Sequence, residues 1–588
     1  MPTPPSDRDV RRATILCFAV PFGLYALTAA RTVQGGDAGE FGVIGMLGGV
    51  AHPPGYPLYV LLSRIMSHLP FGPPFWRIAM GSALCGAAAG AVLFRVALRQ
   101  TGHLSAALVA AMAFALSPLE WRLSGIPEVF SLHALACATT LLFSLRLADA
   151  PPERVAREAL ALGLTLGLGF ANHQTIILLA PVVLWAVVAA ALRSSLGQVG
   201  LAALLGTAGA LLGLSAYLLL PLFAHWATPT SYVWGRVDTW GGFVTHVLRR
   251  EYGTFRLGAT AGEPEPARHV LFFLRSLPGE YVYVFFLSGL VGVVAAFQKR
   301  AGFALALLTS FLLAGVAFTA LFNTTDTHIN SDVTRRFHLM PNLLFAVFVA
   351  AGAAELAPRM RPRLAGGLAA ATLLTGAIIA GREADWAGDT SIERFMIAEV
   401  AAAAPNAVIL GVADTNEPGI TWASRVVGNR PDVHFINLAL YQPGTWYFER
   451  LQAELPGVSL PALPGRPPPG LLGLRIGAFT PTYVIPWIAA EAEETASLQP
   501  DGFLEQVVPQ GTPRLPLAEA EARLNRATAT FGHQPPALDA WAEMVHIAAG
   551  SSWLKLAEAY RVAGQPDKAR ALNERACTIL PADECDGR

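Results

Sequence analysis

The sequence predicts a polytopic α-helical membrane protein of about eleven spans, followed by a soluble C-terminal region that is first α/β and then helical. Three observations carry that prediction. Apolar runs of about 18 residues or more, the length that crosses a bilayer, recur through the first two thirds of the chain. Only 14% of the 588 residues are charged, where a soluble protein carries about 25%. After Arg382 the long apolar runs give way to short ones bounded by turn residues. The expected organisation is a transmembrane part over 1–381, a small extracytoplasmic α/β domain over 382–514 and a helical region over 515–588.

Spans are expected near 13–30, 77–98, 103–119, 128–148, 155–170, 172–193, 198–222, 280–298, 302–322, 338–357 and 363–381. The stretch 155–193 leaves two readings open, because Asn172-His173-Gln174 is either a tight turn between two spans or a break inside one. The basic N-terminus precedes an apolar run as in a signal peptide, but no small-x-small cleavage site follows, so an uncleaved first span is expected. With Arg8, Arg11 and Arg12 in the cytoplasm, every short inner loop is basic: Arg95 and Arg99, Arg146 to Arg157, Arg193, Lys299 and Arg300, and Arg359 to Arg363. Arg31, Arg64 and Arg122 fall outside as exceptions. The outer face receives 35–76, 117–127, 172–174, 223–278, 323–336 and everything after 382.

A formal net charge of zero gives no support to nucleic-acid binding. Cys17, Cys85 and Cys137 lie in spans and read as small apolar fillers, whereas Cys577 and Cys585 would pair in an oxidising compartment. No C-x-x-C or Cys/His cluster suggests a metal. In the soluble part, Ala407–Gly411 followed by Asp414 reads as a buried strand and loop, and Val433–Leu438 as a second strand after the turn Asn429–Asp432. Five prolines in 461–469 mark a linker or ordered loop. From Pro516 the pattern is helical, and Leu556 to Pro581 resembles one tetratricopeptide-type hairpin; an ordinary helical hairpin explains it equally well.

The chemistry concentrates in the first outer loop. Asp37 and Glu40 stand three residues apart among glycines, directly after the first span. They read either as solvated loop charges or as a reaction site, since a carboxylate near low dielectric can have its pKa raised and serve as a base. His52-Pro53-Pro54-Gly55-Tyr56-Pro57 is a proline-fixed turn that either only shapes the loop or also offers His52 to a phosphate or hydroxyl. Glu128 opens the fourth span, as a dipole-favoured charge or a ligand group, and His173 lies at an outer span end. Arg249, Arg250, Glu251 and Tyr252 in the long outer loop, with Arg335, Arg336 and His338 before the tenth span, run against the positive-inside trend. An anionic ligand would account for these arginines, because guanidinium groups grip phosphate in bidentate fashion; salt bridges or lipid headgroups would account for them equally.

Asp37-Ala38-Gly39-Glu40-Phe41 and His52–Leu58 match a D-x-G-E-F and H-P-P-G-Y-P-L pair. By these motifs the chain resembles the GT-C superfamily of membrane glycosyltransferases, and within it the protein O-mannosyltransferase-like subfamily. Trp121 with Glu128-Val129-Phe130, Gly169 to His173, Arg250 to Gly253, Arg336-Phe337, Arg430 to Val433 and Trp446-Tyr447 are weaker echoes spread over about 30–450. The resemblance implies a polyprenyl- or dolichyl-phosphate sugar donor, a hydroxyl acceptor on protein or glycan, and no obligatory metal or other cofactor. It also implies Asp37 as the base of an inverting transfer, with Glu40 beside it as a second catalytic carboxylate. His52, Tyr56, Glu128, His173, Arg250 and Tyr252 are expected to bind substrate, and Arg335 or Arg336 to hold the departing phosphate.

A transporter or flippase of lipid-linked or anionic substrates is the competing class, with charges deep in several spans and two related halves as its signature. Here the charges sit mostly at span ends and no duplication is seen. A noncatalytic scaffold leaves the first-loop constellation unexplained. Three lysines against thirty-nine arginines, with abundant Ala and Gly, point to a GC-rich bacterial genome and hence to an inner membrane with the outer loops in the periplasm.

Overall fold

The computed structural model describes residues 5–585 apart from 254–264, 325, 326, 413, 464 and 536. Its first helix, α1 (Asp7–Thr28), starts where the Ser6 hydroxyl accepts from the Asp9 amide. The first outer loop then folds into two short helices, α2 (Asp37–Leu47) and α3 (Pro57–Ser67), the second opened by its own proline. The bundle continues through α4 (Pro74–Thr101), α5 (Leu104–Ala115), α6 (Pro118–Ser124), α7 (Val129–Ala148), α8 (Val155–Asn172), α9 (Ala180–Ala191), α10 (Leu196–Leu214) and α11 (Leu219–His225). After α12 (Trp240–Val247) and α13 (Pro266–Glu280) in the long outer loop come α14 (Val284–Leu312), α15 (His328–Arg335), α16 (Leu339–Leu356) and α17 (Pro362–Glu383). Helices α4, α7 and α16 form the buried centre, whereas α1, α10 and α17 present mostly exposed apolar faces, as lipid-facing helices do.

Among the described residues eight helices are long and apolar enough to cross a membrane, or nine if the bent pair α5–α6 is one span, rather than the eleven expected. Two features account for most of the difference between this count and the expected one. The segments expected at 280–298 and 302–322 are two helices joined by a sharp turn at Arg300, which takes φ −154° and ψ 68°: Phe286 before it and Phe311 after it both pack on the ring of Phe345, so the chain doubles back there. Arg300 at this turn is held by Asp149 at 2.5 Å and lies over the Trp185 ring. Helix α8 carries Arg157 and Glu158 in its first turn and falls outside the apolar set. Asn172-His173-Gln174 is a turn between two helices: Ala190 and Ala191 at the end of α9 line the same groove as Val155 and Ala159 at the start of α8, so the pair is antiparallel. Helices α14 and α16 cross on glycines, for a Cβ on Gly292 would lie 1.8 Å from the Phe348 carbonyl oxygen.

The C-terminal region opens with α18 (Ser391–Ala402) and forms one five-stranded sheet. Its strands are β3 (Val408–Gly411), β4 (His434–Asn437), β5 (Thr482–Val484), β6 (Ser497–Asp501) and β7 (Leu504–Val508), numbered after a short pair, β1 (Gly49–Val50) and β2 (Tyr232–Val233), in the outer loops. Their order is β4-β3-β5-β7-β6, with β3, β4 and β5 parallel and β7 antiparallel to both its neighbours. The central strand β3 is fully buried, which is why its sequence is an unbroken apolar run. Between strands lie α19 (Asn416–Thr421), α20 (Trp446–Glu454), α21 (Pro469–Gly477) and α22 (Ala489–Glu493). Helices α23 (Leu517–Phe531), α24 (Ala540–Val562) and α25 (Pro566–Cys577) close the chain, and Cys577 is bonded to Cys585.

This region is seated on the first outer loop. Thr415 accepts from the Gly36 amide at 3.1 Å, Trp422 meets Phe75 edge to face, and Trp541 stands directly over Gly35. Two of the three arginines that broke the positive-inside pattern find their reason here. Arg64 donates to the Gly45 and Met46 carbonyls that end α2, and Arg122 donates to the Leu538 carbonyl and lies within 4 Å of Asp332 and Asp539.

Candidate active site

Helix α2 begins at Asp37 because Gly36 before it takes a positive φ of 60°, which a side chain would resist. Asp37 therefore sits at the N-terminus of the helix, where unpaired amides favour a negative charge. Its side chain is 30% exposed and accepts from Arg336 Nη1 at 3.1 Å. Glu40, one turn on, is buried, and its Oε1 accepts the His52 amide at 2.9 Å while its Oε2 meets His52 Nδ1. The proline turn thus does more than shape the loop: it brings His52 back onto α2. The β1–β2 pair fastens the same turn to the long outer loop, with Gly49 so close to Tyr232 that a Cβ would lie 1.8 Å from its carbonyl oxygen.

Glu128 is the N-cap residue of α7 and is 1% exposed. Its Oε1 accepts from Arg336 Nη1 at 2.5 Å. Arg336, in the short turn between α15 and α16, therefore bridges Asp37 and Glu128 through one nitrogen. Arg335, its neighbour, points elsewhere: it pairs with Glu280 at 3.1 Å and Glu383 at 3.6 Å, because one step along a helix turns a side chain through about 100°. Of the two arginines considered for the phosphate, the geometry brings only Arg336 to Asp37.

Aromatic rings form one wall. Tyr56 packs edge to face on Phe41 and His52 and stacks on His173 with centroids 6.2 Å apart; His173 also meets Phe130 and Phe337. His173 is buried and its Nδ1 is 2.6 Å from the Thr175 hydroxyl. Tyr252 is half-buried with the Arg249 guanidinium 5.6 Å from its ring. Arg250 is exposed and contacts none of these groups, so Arg249 takes the place expected for it. The positive φ of 52° at Arg249 reverses the chain there and sends consecutive side chains apart.

Two groups join the site beyond those expected to bind substrate. Arg249 is one. Asp414 is the other; it follows β3 at the carboxyl end of the parallel strands, where open α/β sheets gather ligands, and that position is its one sequence-level signal.

The charges are strongly coupled. Burial alone would raise the Asp37 carboxyl, but Arg336 first, then charged His52 and Arg249, outweigh it and hold the group below its ordinary value. Burial pushes Glu128 up to about 7, with Arg336 pulling against this and Asp37 adding to it. Desolvation and the nearby Asp37 raise Asp414 to about 6. Burial would lower His52, yet Glu40 and then Asp37 overcome it and raise it to about 9. At neutral pH the site thus holds an ionised Asp37 beside an imidazolium and a guanidinium. The ligand atoms of Asp37, Glu40 and His52 lie within 4.8 Å of one another, so a divalent cation would fit there once His52 had given up its proton.

The His52 shift makes a stability prediction. A folded pKa of about 9 against 6.5 in the open chain corresponds to about 3 kcal/mol, present in full below pH 6.5 and lost as pH rises through 9. The thermal midpoint of the purified protein is expected to fall between pH 7 and 9.5, and this fall to shrink in His52→Gln. An equal fall in both proteins would show that the pair does not contribute.

The family described as Protein O-mannosyl-transferase TMEM260 N-terminal domain matches residues 37–195, which begin at Asp37. The mouse protein named Protein O-mannosyl-transferase TMEM260 is 27% identical over 478 residues, covering 78% of this chain and 67% of its own length. Its Dictyostelium discoideum namesake is 28% identical over 401 residues, 62% of this chain and 48% of its own, so the chain spans about half to two thirds of these relatives. Among solved structures, ArnT from Cupriavidus metallidurans bound to undecaprenyl phosphate superposes with a TM-score of 0.54 at 15% identity, covering 85% of this chain and 99% of that one. These likenesses bear out the GT-C membrane fold and the stated resemblance, and they support a glycosyltransferase.

Proposed function

We propose that the chain transfers a hexose, mannose by its likeness to the O-mannosyl-transferases, from a polyprenyl-phosphate carrier to a hydroxyl of a protein Ser or Thr. The observation that supports this most is the bridge Asp37–Arg336–Glu128 at the N-terminus of α2, beside the imidazolium of His52. In the proposed step the acceptor oxygen attacks the anomeric carbon from the face opposite the phosphate. Its proton passes to Asp37, a new carbon–oxygen bond forms, and the bond to the phosphate oxygen breaks with its electron pair leaving on the lipid phosphate. Attack and departure on opposite faces invert the anomeric centre. Both Arg336 contacts use Nη1, and its Nη2 edge has no partner among the described residues, so that edge is available to the phosphate whose charge grows as the bond breaks. Glu128, Tyr56 and His173 would bind the sugar, and Tyr252 with Arg249 would close the site from the long outer loop.

The reading places this site and the C-terminal region on the extracytoplasmic side of a bacterial inner membrane, at the end of the bundle opposite the arginine-rich one. The test is transfer from a radiolabelled polyprenyl-phosphate hexose in sealed vesicles of known orientation, with a Ser/Thr-rich peptide supplied outside. Labelled peptide is expected only when the Asp37 end faces the peptide. Transfer only in the opposite orientation would overturn the sidedness. Donor turnover with a glycan or lipid but never with peptide would overturn the acceptor.

A further inference from the structure

At the other end of the bundle the structure forms an open hollow of about 670 Å³ lined by Arg11, Arg95, Arg99, Arg146, Arg154 and Arg157. These side chains arrive from the start of α1, the end of α4, the end of α7 and the beginning of α8, four elements far apart in sequence. Glu128 and Arg146 stand near opposite ends of α7, eighteen residues and therefore about 27 Å apart. The cavity is thus separated from the Asp37 site by nearly the thickness of the apolar bilayer core.

Its charges do not balance. Three acids line it, and two of them are shared: Asp149 pairs with Arg99 and Arg300, and Glu158 with Arg146 and Arg157. Arg11, Arg95 and Arg154 make no ion pair among the described residues. Arg11, Arg95 and Arg154 are exposed, yet all six arginines line one hollow, where an anion would relieve their mutual repulsion. Leu98, Leu142 and Pro151 share the wall, so the hollow suits a group that is charged at one end and apolar at the other. Guanidinium forks match the oxygens of phosphate, and basic pockets between helix ends at headgroup depth are where phosphate-bearing lipids are held.

We propose that this cavity binds the phosphate of an anionic membrane-lipid headgroup. The occupant is a phosphate ester, contacted by the unpaired Arg11, Arg95 and Arg154, with the first methylenes of its chains against the apolar wall.

The experiment uses the full-length protein in detergent, stripped of lipid and titrated with dioctanoyl phosphatidylglycerol, dioctanoyl phosphatidylcholine or inorganic phosphate. Binding is read by native mass spectrometry and by thermal midpoint. The comparison is with the double variant Arg95→Gln/Arg154→Gln, whose side chains are exposed and unpaired, so that folding is expected to survive and is checked by elution and by the midpoint without lipid. The anionic lipid is expected to bind saturably, at least tenfold more tightly than the zwitterionic one, and to lose at least tenfold in the double variant. Inorganic phosphate bound as tightly as the lipid, and lost in the variant, would keep the phosphate site and assign it to the free anion. Equal affinity in both proteins, or no preference for the anionic headgroup, would overturn the proposal.

Discussion

Asp37→Asn is expected to lower sugar transfer by about a hundredfold or more while leaving the protein folded. Asn keeps the size of the side chain and an oxygen for the Arg336 bond, but it cannot take the proton from the attacking hydroxyl. The neighbouring charges decide how this result is read. Because Arg336, His52 and Arg249 hold Asp37 ionised, the wild-type enzyme has its base ready at any pH above the ordinary carboxylate range. Wild-type transfer should therefore fall only on the acid side as Asp37 protonates. The residual activity of Asp37→Asn should lose that acid limb. Glu40 is a poor substitute for the base, since both its oxygens are taken by His52. Transfer in Asp37→Asn equal to wild type would move the base elsewhere, with Asp414, which is coupled electrostatically to Asp37, the next carboxylate to test.

Arg336→Gln is expected to abolish transfer and also to destabilise the protein, and the two effects can be separated. Removing the guanidinium leaves Glu128, 1% exposed, without its partner. Breaking a buried ion pair from one side costs about 3–5 kcal/mol. Glu128 is already raised to about 7 and cushions part of this by taking a proton. The double variant Arg336→Gln/Glu128→Gln replaces the charged pair by two amides and should recover most of the lost thermal midpoint. Transfer should stay about a hundredfold or more below wild type, because nothing then stabilises the charge on the leaving phosphate. Recovery of transfer together with stability would reduce Arg336 to a structural cation. Arg336→Lys should fold better than Arg336→Gln yet transfer poorly, since a lysine ammonium is a point charge and lacks the second edge of the fork.

Much of the site was legible in the sequence because its first half is local. Asp37 and Glu40 are one helical turn apart, and the prolines around His52 and Tyr56 leave the backbone little choice but to turn back. Glu128 was legible as a charge at a span end. The two arginine choices were not. Arg335 and Arg336 are adjacent, as are Arg249 and Arg250, and which of each pair faces the carboxylates depends on a helical phase and on a positive φ that no composition or spacing reveals. The Lys299-Arg300 pair was legible as the turn between two helices, and what only the packing shows is that Asp149 and Trp185 hold Arg300 there.

By itself the sequence determined the membrane class, the first-loop acid and the proline turn, because apolar length, short-range spacing and fixed proline φ act within a few residues of each other. Only the tertiary structure decided that the partner of Asp37 stands 299 residues downstream, that Thr415 and Asp414 come over from the C-terminal sheet, and that six arginines from four elements share one cavity. Those groups are brought together by helix packing and by the seating of one region on another, and such contacts between distant segments leave no periodicity to read.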